Sequence, residues 1–180
     1  FSLKMRLGWE NASECMVLVE LLNALRLSRI ALHARTGKQQ YKGHPDLEAF
    51  QGFYELCQHP LYYNGDIESL SDIRQILTRF PLLKGVFIGR GLLSSPLLAK
   101  EFKGNETFLP EQRMSIYFAF HEELFSAYSQ VLQGETQLLV KMKTLWEYFL
   151  PETDRKLLKR IKKSTRLQQY TESVKAIFTS

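Results

Sequence analysis

Four short apolar runs in the first half of this chain each end in a polar or glycine-rich signature, and the signatures recur at nearly constant spacing. They are Lys4-Met-Arg-Leu-Gly8, His33-Ala-Arg-Thr-Gly-Lys-Gln-Gln-Tyr-Lys-Gly43, Asn64-Gly-Asp66 and Gly89-Arg-Gly91. Lys4, His33, Asn64 and Gly89 are separated by 29, 31 and 25 residues. A (β/α)8 barrel of ~250 residues uses ~31 residues per strand–helix unit and keeps its chemistry at the carboxyl ends of its strands. The spacing therefore predicts four consecutive βα units, half of such a barrel, with each signature at a strand's carboxyl end.

The pattern between the signatures agrees. Ser2–Leu7 reads as a strand, and Met16, Val17, Leu18, Leu21, Leu22 and Leu25 then recur at helical spacing, with Asn11 and Glu14 suited to the helix start. Arg29–His33 is the next strand and Leu47–Cys57 the next helix. Leu61–Tyr63 is the third strand, and Ser69 with Asp72 three residues on forms a capping box before Ile73, Ile76, Leu77 and Phe80. Gly85–Ile88 is the last strand, followed by a short helix at Pro96–Phe102. Strands alternating with helices build a parallel sheet. Four units cannot close a barrel, so two strand edges and one sheet face need cover. Either the rest of the barrel lies outside this chain or two chains pair.

Residues 104–110 read as a linker, and strand signals end there. Met114, Tyr117, Phe118, His121, Leu124, Phe125, Tyr128, Val131 and Leu132 form one apolar stripe, with Gly134 as the stop. A second stripe runs from Leu138 to Phe149, stopped by Pro151. Leu157, Leu158 and Ile161 mark a third helix, and Leu167, Tyr170, Val174 and Ile177 a fourth. The fold class is α/β plus all-α: residues 1–103 a half barrel, 104–110 a linker, 111–180 a four-helix bundle.

Charge separates the two parts. Residues 141–180 carry ten Lys/Arg against four Asp/Glu, while residues 1–140 carry 14 against 15. A local surplus favours a polyanionic partner through counterion release. The apolar runs fall far short of the ~20 residues of a spanning helix, so no membrane partner is expected. Phe1-Ser-Leu-Lys-Met-Arg lacks the apolar core of a signal peptide and already reads as strand, which places the natural N-terminus upstream. Cys15 and Cys57 fall in predicted helices and have neither disulfide nor zinc-site spacing. Reduced thiols, a cytoplasmic location and no metal are the expectation.

Taken singly, each signature has an ordinary explanation. Lys4 is a surface lysine, His33 a satisfied polar group, and Asn64-Gly65-Asp66 a tight turn. Gly89-Arg90-Gly91 carries more physics, since two glycines admit a ligand close to the backbone and a following helix start offers N–H groups to phosphate. Arg90 adds a charged contact that can be bidentate.

In combination, KMRLGW, LHARTGKQQYKG, YYNGDI and GVFIGRGLL resemble the second half of the tRNA-dihydrouridine synthases, and the helical segment resembles their tRNA-binding domain. The resemblance implies strands five to eight of a flavin-binding TIM barrel. It places flavin mononucleotide (FMN) against Lys4, His33, Asn64, Gly65, Asp66, Gly89 and Arg90, with NADPH as reductant. Lys4 would sit near the pyrimidine edge of the flavin, and Gly89 and Arg90 would hold the phosphate. Arg35 would lie at the rim, facing flavin or RNA. The implied reaction reduces the C5–C6 double bond of a tRNA uridine turned out of its stack. The family's general acid is a cysteine followed by proline in the first barrel half; Cys15 and Cys57 lack that context, so the acid is assigned to neither. This chain alone is then expected to be inactive.

For RNA, the resemblance implies Lys143, standing where the family pattern has arginine, and the basic helix with Lys159, Lys162 and Lys163. From charge alone that helix is a solvated face. Among its aromatic neighbours, Trp146 and Phe149 fit the core stripe, Tyr170 is a possible stacking group, and Tyr148 is the best exposed candidate. Two other readings remain: a standalone RNA-binding module with a degenerate half barrel, and a flavin barrel acting on a small molecule, against which the basic bundle argues.

Overall fold

The computed structural model describes residues 1–179. Four strands, β1 (Ser2–Gly8), β2 (Arg29–Thr36), β3 (Leu61–Asn64) and β4 (Gly85–Phe87), form one sheet in the order β1-β2-β3-β4. Every neighbouring pair is parallel. Helices α1 (Glu14–Asn23), α2 (Leu47–Leu56) and α3 (Leu70–Arg79) follow the first three strands. The sheet and these helices belong to a first compact unit, Phe1–Gly91; a second begins at Leu92. The short helix α4 (Arg90–Ser94) spans the division.

Register explains how the first unit sorts its side chains. Met5, Leu32, Tyr63 and Val86 stand in one row, and Arg6, His33, Asn64 and Phe87 in another. Side chains alternate across a strand, so the two rows point to opposite faces. Tyr63 meets Phe50 of α2 edge-on at 5.0 Å, and Phe50 meets Phe80 at the same distance. The helices therefore cover the Tyr63 face. Phe50, Phe53 and Leu32 are fully buried there, and truncating such a phenylalanine to alanine costs about 3–5 kcal/mol.

Local sequence chemistry sets the helix starts. Ser69 and Asp72 form the expected capping box at α3. Asp46 caps α2 by accepting from the Ala49 N–H. At α1, Glu14 accepts from the backbone N–H groups of Trp9, Glu10 and Asn11. Those three donors hold its carboxyl below the usual carboxylate range.

The apolar stripe expected to bury α1 does not do so. Cys15 and Val19 take the inward positions, while Val17, Leu18, Leu21 and Leu25 are exposed. With Cys15 and Val19 four residues apart facing the sheet, the remaining apolar side chains point elsewhere.

The second unit is helical: α5 (Leu98–Gly104), α6 (Pro110–Val131), α7 (Glu135–Leu145), α8 (Arg155–Lys163) and α9 (Leu167–Phe178). Of the expected linker, residues 105–109 lie between α5 and α6, while Gly104 ends α5 and Pro110 begins α6. Gly134 lies at the start of α7, with φ 85°, rather than closing α6, whose C-cap is Leu132. Helix α7 ends at Leu145, and Trp146 and Phe149 enter the core from the turn after it. Tyr117, Met142, Ile161, Tyr170 and Val174 complete the centre.

A neutral polar network runs through this core. The Trp146 indole N–H donates to the Tyr170 hydroxyl at 2.9 Å, and that hydroxyl lies 2.6 Å from His121 Nε2. With Trp146 donating to Tyr170, the Tyr170 O–H is left to donate to His121, whose Nδ1–H then faces Glu122 at 3.1 Å. Burial lowers the His121 pKa and raises that of Tyr170. Tyr170 is fully buried, which corrects its reading as a group available to stack on bases.

Candidate functional site

The sheet face opposite the helices collects the first unit's charged groups. Lys4, Arg6 and His33 project from it, and Asn64 joins them at the last position of β3. His33 and Asn64 stand side by side in the register, and the residue paired with His33 on β1 is Arg6. Lys4, expected at the strand's end, is the third of its seven residues and is exposed.

Asp66 organises the ends of these strands. Its carboxylate accepts both Arg35 terminal nitrogens, at 2.8 and 2.5 Å, and Arg90 at 3.1 Å. Arg35 also donates to the Gly43 carbonyl at 2.8 Å. Hydrogen bonding from Arg35 holds the Asp66 carboxyl below its usual range and raises the Arg35 pKa in turn. Arg35 is 1% exposed. Of its two expected roles at the rim, burial disfavours the RNA-facing one and leaves the flavin-facing one: the carboxylate that draws it inward comes from the loop after the neighbouring strand. Its Nε is buried without a hydrogen-bond partner among the described residues.

Tyr41 lies among Arg90, Arg6 and His33. The Arg90 guanidinium lies 4.3 Å from the centre of its ring and that of Arg6 5.8 Å, with the His33 ring at 6.3 Å. Arg6 is further fixed by donating to the carbonyls of Thr36 at 2.7 Å and Gln40 at 3.1 Å. Burial, then the charges of Arg6, Lys4 and Arg35, push His33 down to about 4. At neutral pH its imidazole is uncharged, able to donate at one nitrogen and accept at the other. Asn64 donates its amide to the Phe87 carbonyl at 2.8 Å, which leaves its oxygen as an acceptor.

The glycines here have unlike reasons to be glycine. A Cβ on Gly91 would lie 2.0 Å from the Ile67 carbonyl oxygen, and one on Gly65 2.1 Å from the Tyr63 hydroxyl. A Cβ on Gly89 would meet nothing within 4 Å among the described residues. Beside this cluster, Trp9 packs its ring against Gly37 while remaining 65% exposed.

The second unit presents its charge differently. Lys159, Lys162 and Lys163 are exposed on α8, whose N-cap Asp154 accepts from the Lys156 and Leu157 N–H groups. Lys143, expected at a phosphate, instead donates its ammonium to the carbonyl of Ser164, the C-cap of α8. Cationic groups suit a helix C-terminus. Tyr148 is 37% exposed, while Trp146 and Phe149 are buried.

Arg6 and Tyr41 are the site residues that sequence reasoning passed over. Period-two alternation from Lys4 would have found Arg6. Tyr41 sits in a loop whose fold depends on contacts some thirty residues away, so no local pattern marks it. Among the described residues no group of three or more His, Cys, Asp or Glu side chains could hold a metal ion, and no helix is long and apolar enough to cross a membrane.

The family model described as dihydrouridine synthase matches residues 1–179. A probable tRNA-dihydrouridine synthase of Rhizobium leguminosarum bv. phaseoli is 36% identical over 96 residues, which cover 53% of this chain and 30% of that protein. A probable tRNA-dihydrouridine synthase of Aquifex aeolicus is 36% identical over 102 residues, 57% of this chain and 32% of the relative. The tRNA-dihydrouridine(16) synthase of Escherichia coli K12 is 28% identical over 110 residues, 61% of this chain and 35% of that enzyme. The matched region thus spans about a third of the length of these curated relatives.

Proposed function

This chain belongs to the dihydrouridine synthase family, and from that premise we propose that it forms part of an enzyme that reduces uridine to dihydrouridine in tRNA, with FMN as cofactor and NADPH as reductant. Residues 1–103 are read as the second half of the catalytic barrel, 104–110 as a linker and 111–180 as a tRNA-binding four-helix bundle. The unpaired outer edges of β1 and β4 and the exposed apolar side of α1 support the half-barrel reading, because further βα units would cover both.

The observation that carries the proposal is the cationic face ending at Gly89 and Arg90. Neither a close contact nor a positive φ requires glycine at position 89; approach of a ligand to the backbone supplies the reason. The partnerless Nε of the buried Arg35 is a donor suited to an acceptor from outside the chain. Both features fit a flavin phosphate and its polar tail. Lys4, His33, Asn64, Gly65, Asp66, Gly89 and Arg90 would hold the cofactor, and Asp66 would act chiefly by fixing Arg90. Arg6 and Tyr41 join this set from the geometry. Bound there, FMN would supply hydride chemistry for the C5–C6 double bond of uridine, with NADPH as its reductant. Lys4 and Arg6 place fixed positive charge on the same face, favouring anionic groups there.

Neither cysteine carries the proton. Cys15 lies in α1 and donates to the Ala12 carbonyl, Cys57 follows α2, and burial raises both thiol pKa values. Both sit with the helices, away from the cationic face. The reading therefore places the general acid in the other barrel half. Lys159, Lys162 and Lys163 are the RNA-binding candidates of the bundle.

The test is an absorbance spectrum of the intact gene product purified without added flavin. A flavin spectrum that bleaches with NADPH supports the reductase. A colourless protein that cannot be reconstituted with FMN yet binds tRNA would replace it with a standalone RNA-binding module.

A further inference from the structure

Helices α8 and α9 enclose a groove of about 420 Å³ whose two walls differ in charge. Lys156, Lys159, Arg160 and Lys163 line the α8 wall; Gln169, Glu172 and Ser173 line the other, with Ser164 at the turn. Lys159 and Arg160 are adjacent, and each lies three or four residues from both Lys156 and Lys163, so the four share one side of α8. All four are exposed, and none makes an ion pair among the described residues. The serines are engaged internally: Ser164 donates to the Ile161 carbonyl at 2.6 Å and Ser173 to that of Gln169 at 2.7 Å. Gln169 accepts through its oxygen from Thr165 at 3.1 Å, so its amide nitrogen remains a donor. Lys162 belongs to the same helix but not to the lining, so the groove drops it from the RNA-binding candidates named above.

We propose that this groove seats the sugar–phosphate backbone of one RNA strand, with successive phosphates running along the α8 wall. The idea rests on the tRNA reading above and adds which side of the helix is used. Lys156 and Lys163 are seven residues apart, about 10 Å along the axis, a reach suited to consecutive phosphates of one strand. Flexible ammonium groups serve a polymer whose phosphates shift in register. Glu172 holds the chain to the α8 side by repelling it from the other wall. A membrane surface is the poorer occupant, because Ile161 is buried and Leu157 and Leu158 are half-buried, leaving α8 no exposed apolar face to insert.

The experiment titrates the full chain with an unmodified tRNA transcript across a salt series, using Lys159→Gln, Lys163→Gln, Lys162→Gln and Glu172→Gln. Each removes one exposed charge, and circular dichroism confirms that the helices persist. Lys159→Gln and Lys163→Gln should each weaken binding about fivefold and lower the slope of log K against log salt by ~0.7–0.9. Lys162→Gln should weaken it less than about twofold, and Glu172→Gln should strengthen it. Equal losses at Lys162 and Lys163 would overturn the groove while leaving tRNA binding in place. No tRNA binding by the unaltered chain would overturn both the groove and the RNA reading beneath it. So would binding to phosphatidylserine vesicles, with the same ranking of variants, in place of tRNA.

Discussion

The sheet face of the first unit and helix α8 of the second handle positive charge in opposite ways. In the first, Arg6, Arg35 and Arg90 are held by backbone carbonyls, by Asp66 and by the Tyr41 ring. In the second, the cations of α8 stand exposed with no ion-pair partner among the described residues. Planar guanidinium groups fixed in advance suit one small anion in one pose. Mobile ammonium groups suit a long polyanion that offers many equivalent phosphates. The contrast also separates stability from binding: disturbing the first set should unsettle the fold, whereas disturbing the second should not.

The sharpest way to break this comparison is Asp66→Ala, which strands the buried Arg35. Loss of one partner of such a pair costs about 3 kcal/mol or more, read as a lower urea midpoint. An unchanged midpoint would mean that Arg35 is not held as described. The second unit contains a buried neutral network open to the same kind of test: Tyr170→Phe should cost about 2 kcal/mol by leaving the Trp146 N–H and His121 without their shared partner. A cost near zero would show that the network is dispensable.

Acid should weaken both units. His33 is held at about 4 against an ordinary 6.5, and His121 is also lowered. A depressed histidine contributes stability that is fully present above the unfolded value and fades as pH falls toward the folded one. Unfolding midpoints should therefore drop as pH falls from 6.5 toward about 4. In a His121→Gln variant the second unit's share of that slope should shrink, and an identical slope would remove His121 from the account. The smallest stability effects belong to the exposed and open positions. Lys159→Gln and Gly89→Ala should each move stability by less than about 0.5 kcal/mol. Gly89→Ala should nevertheless reduce flavin retention by the intact protein, and unchanged flavin content would take position 89 out of the site.

What the sequence revealed was mostly local or periodic. The Ser69–Asp72 capping box reads directly from spacing, and the four-strand parallel order follows from alternation of strands and helices. His33 and Asn64 emerge as neighbours because both end their apolar runs. Long-range pairing was hidden. Arg35 looked like a rim residue because its partner Asp66 lies 31 residues on. Lys143 looked like a phosphate contact because nothing nearby marks the Ser164 carbonyl as its acceptor. On α1, an apolar stripe announced that a surface needs covering without saying by what.

Each compact unit contains one of the chain's two tryptophans, Trp9 at 65% exposure and Trp146 at 2%. Trp9 should emit like an indole in water and Trp146 like one in a protein interior. The Trp146 ring centre lies 5.8 Å from that of His121, close enough for a protonated imidazole to quench it. A single emission spectrum thus carries two internal reporters, one per unit, and its blue component doubles as a gauge of the histidine's charge.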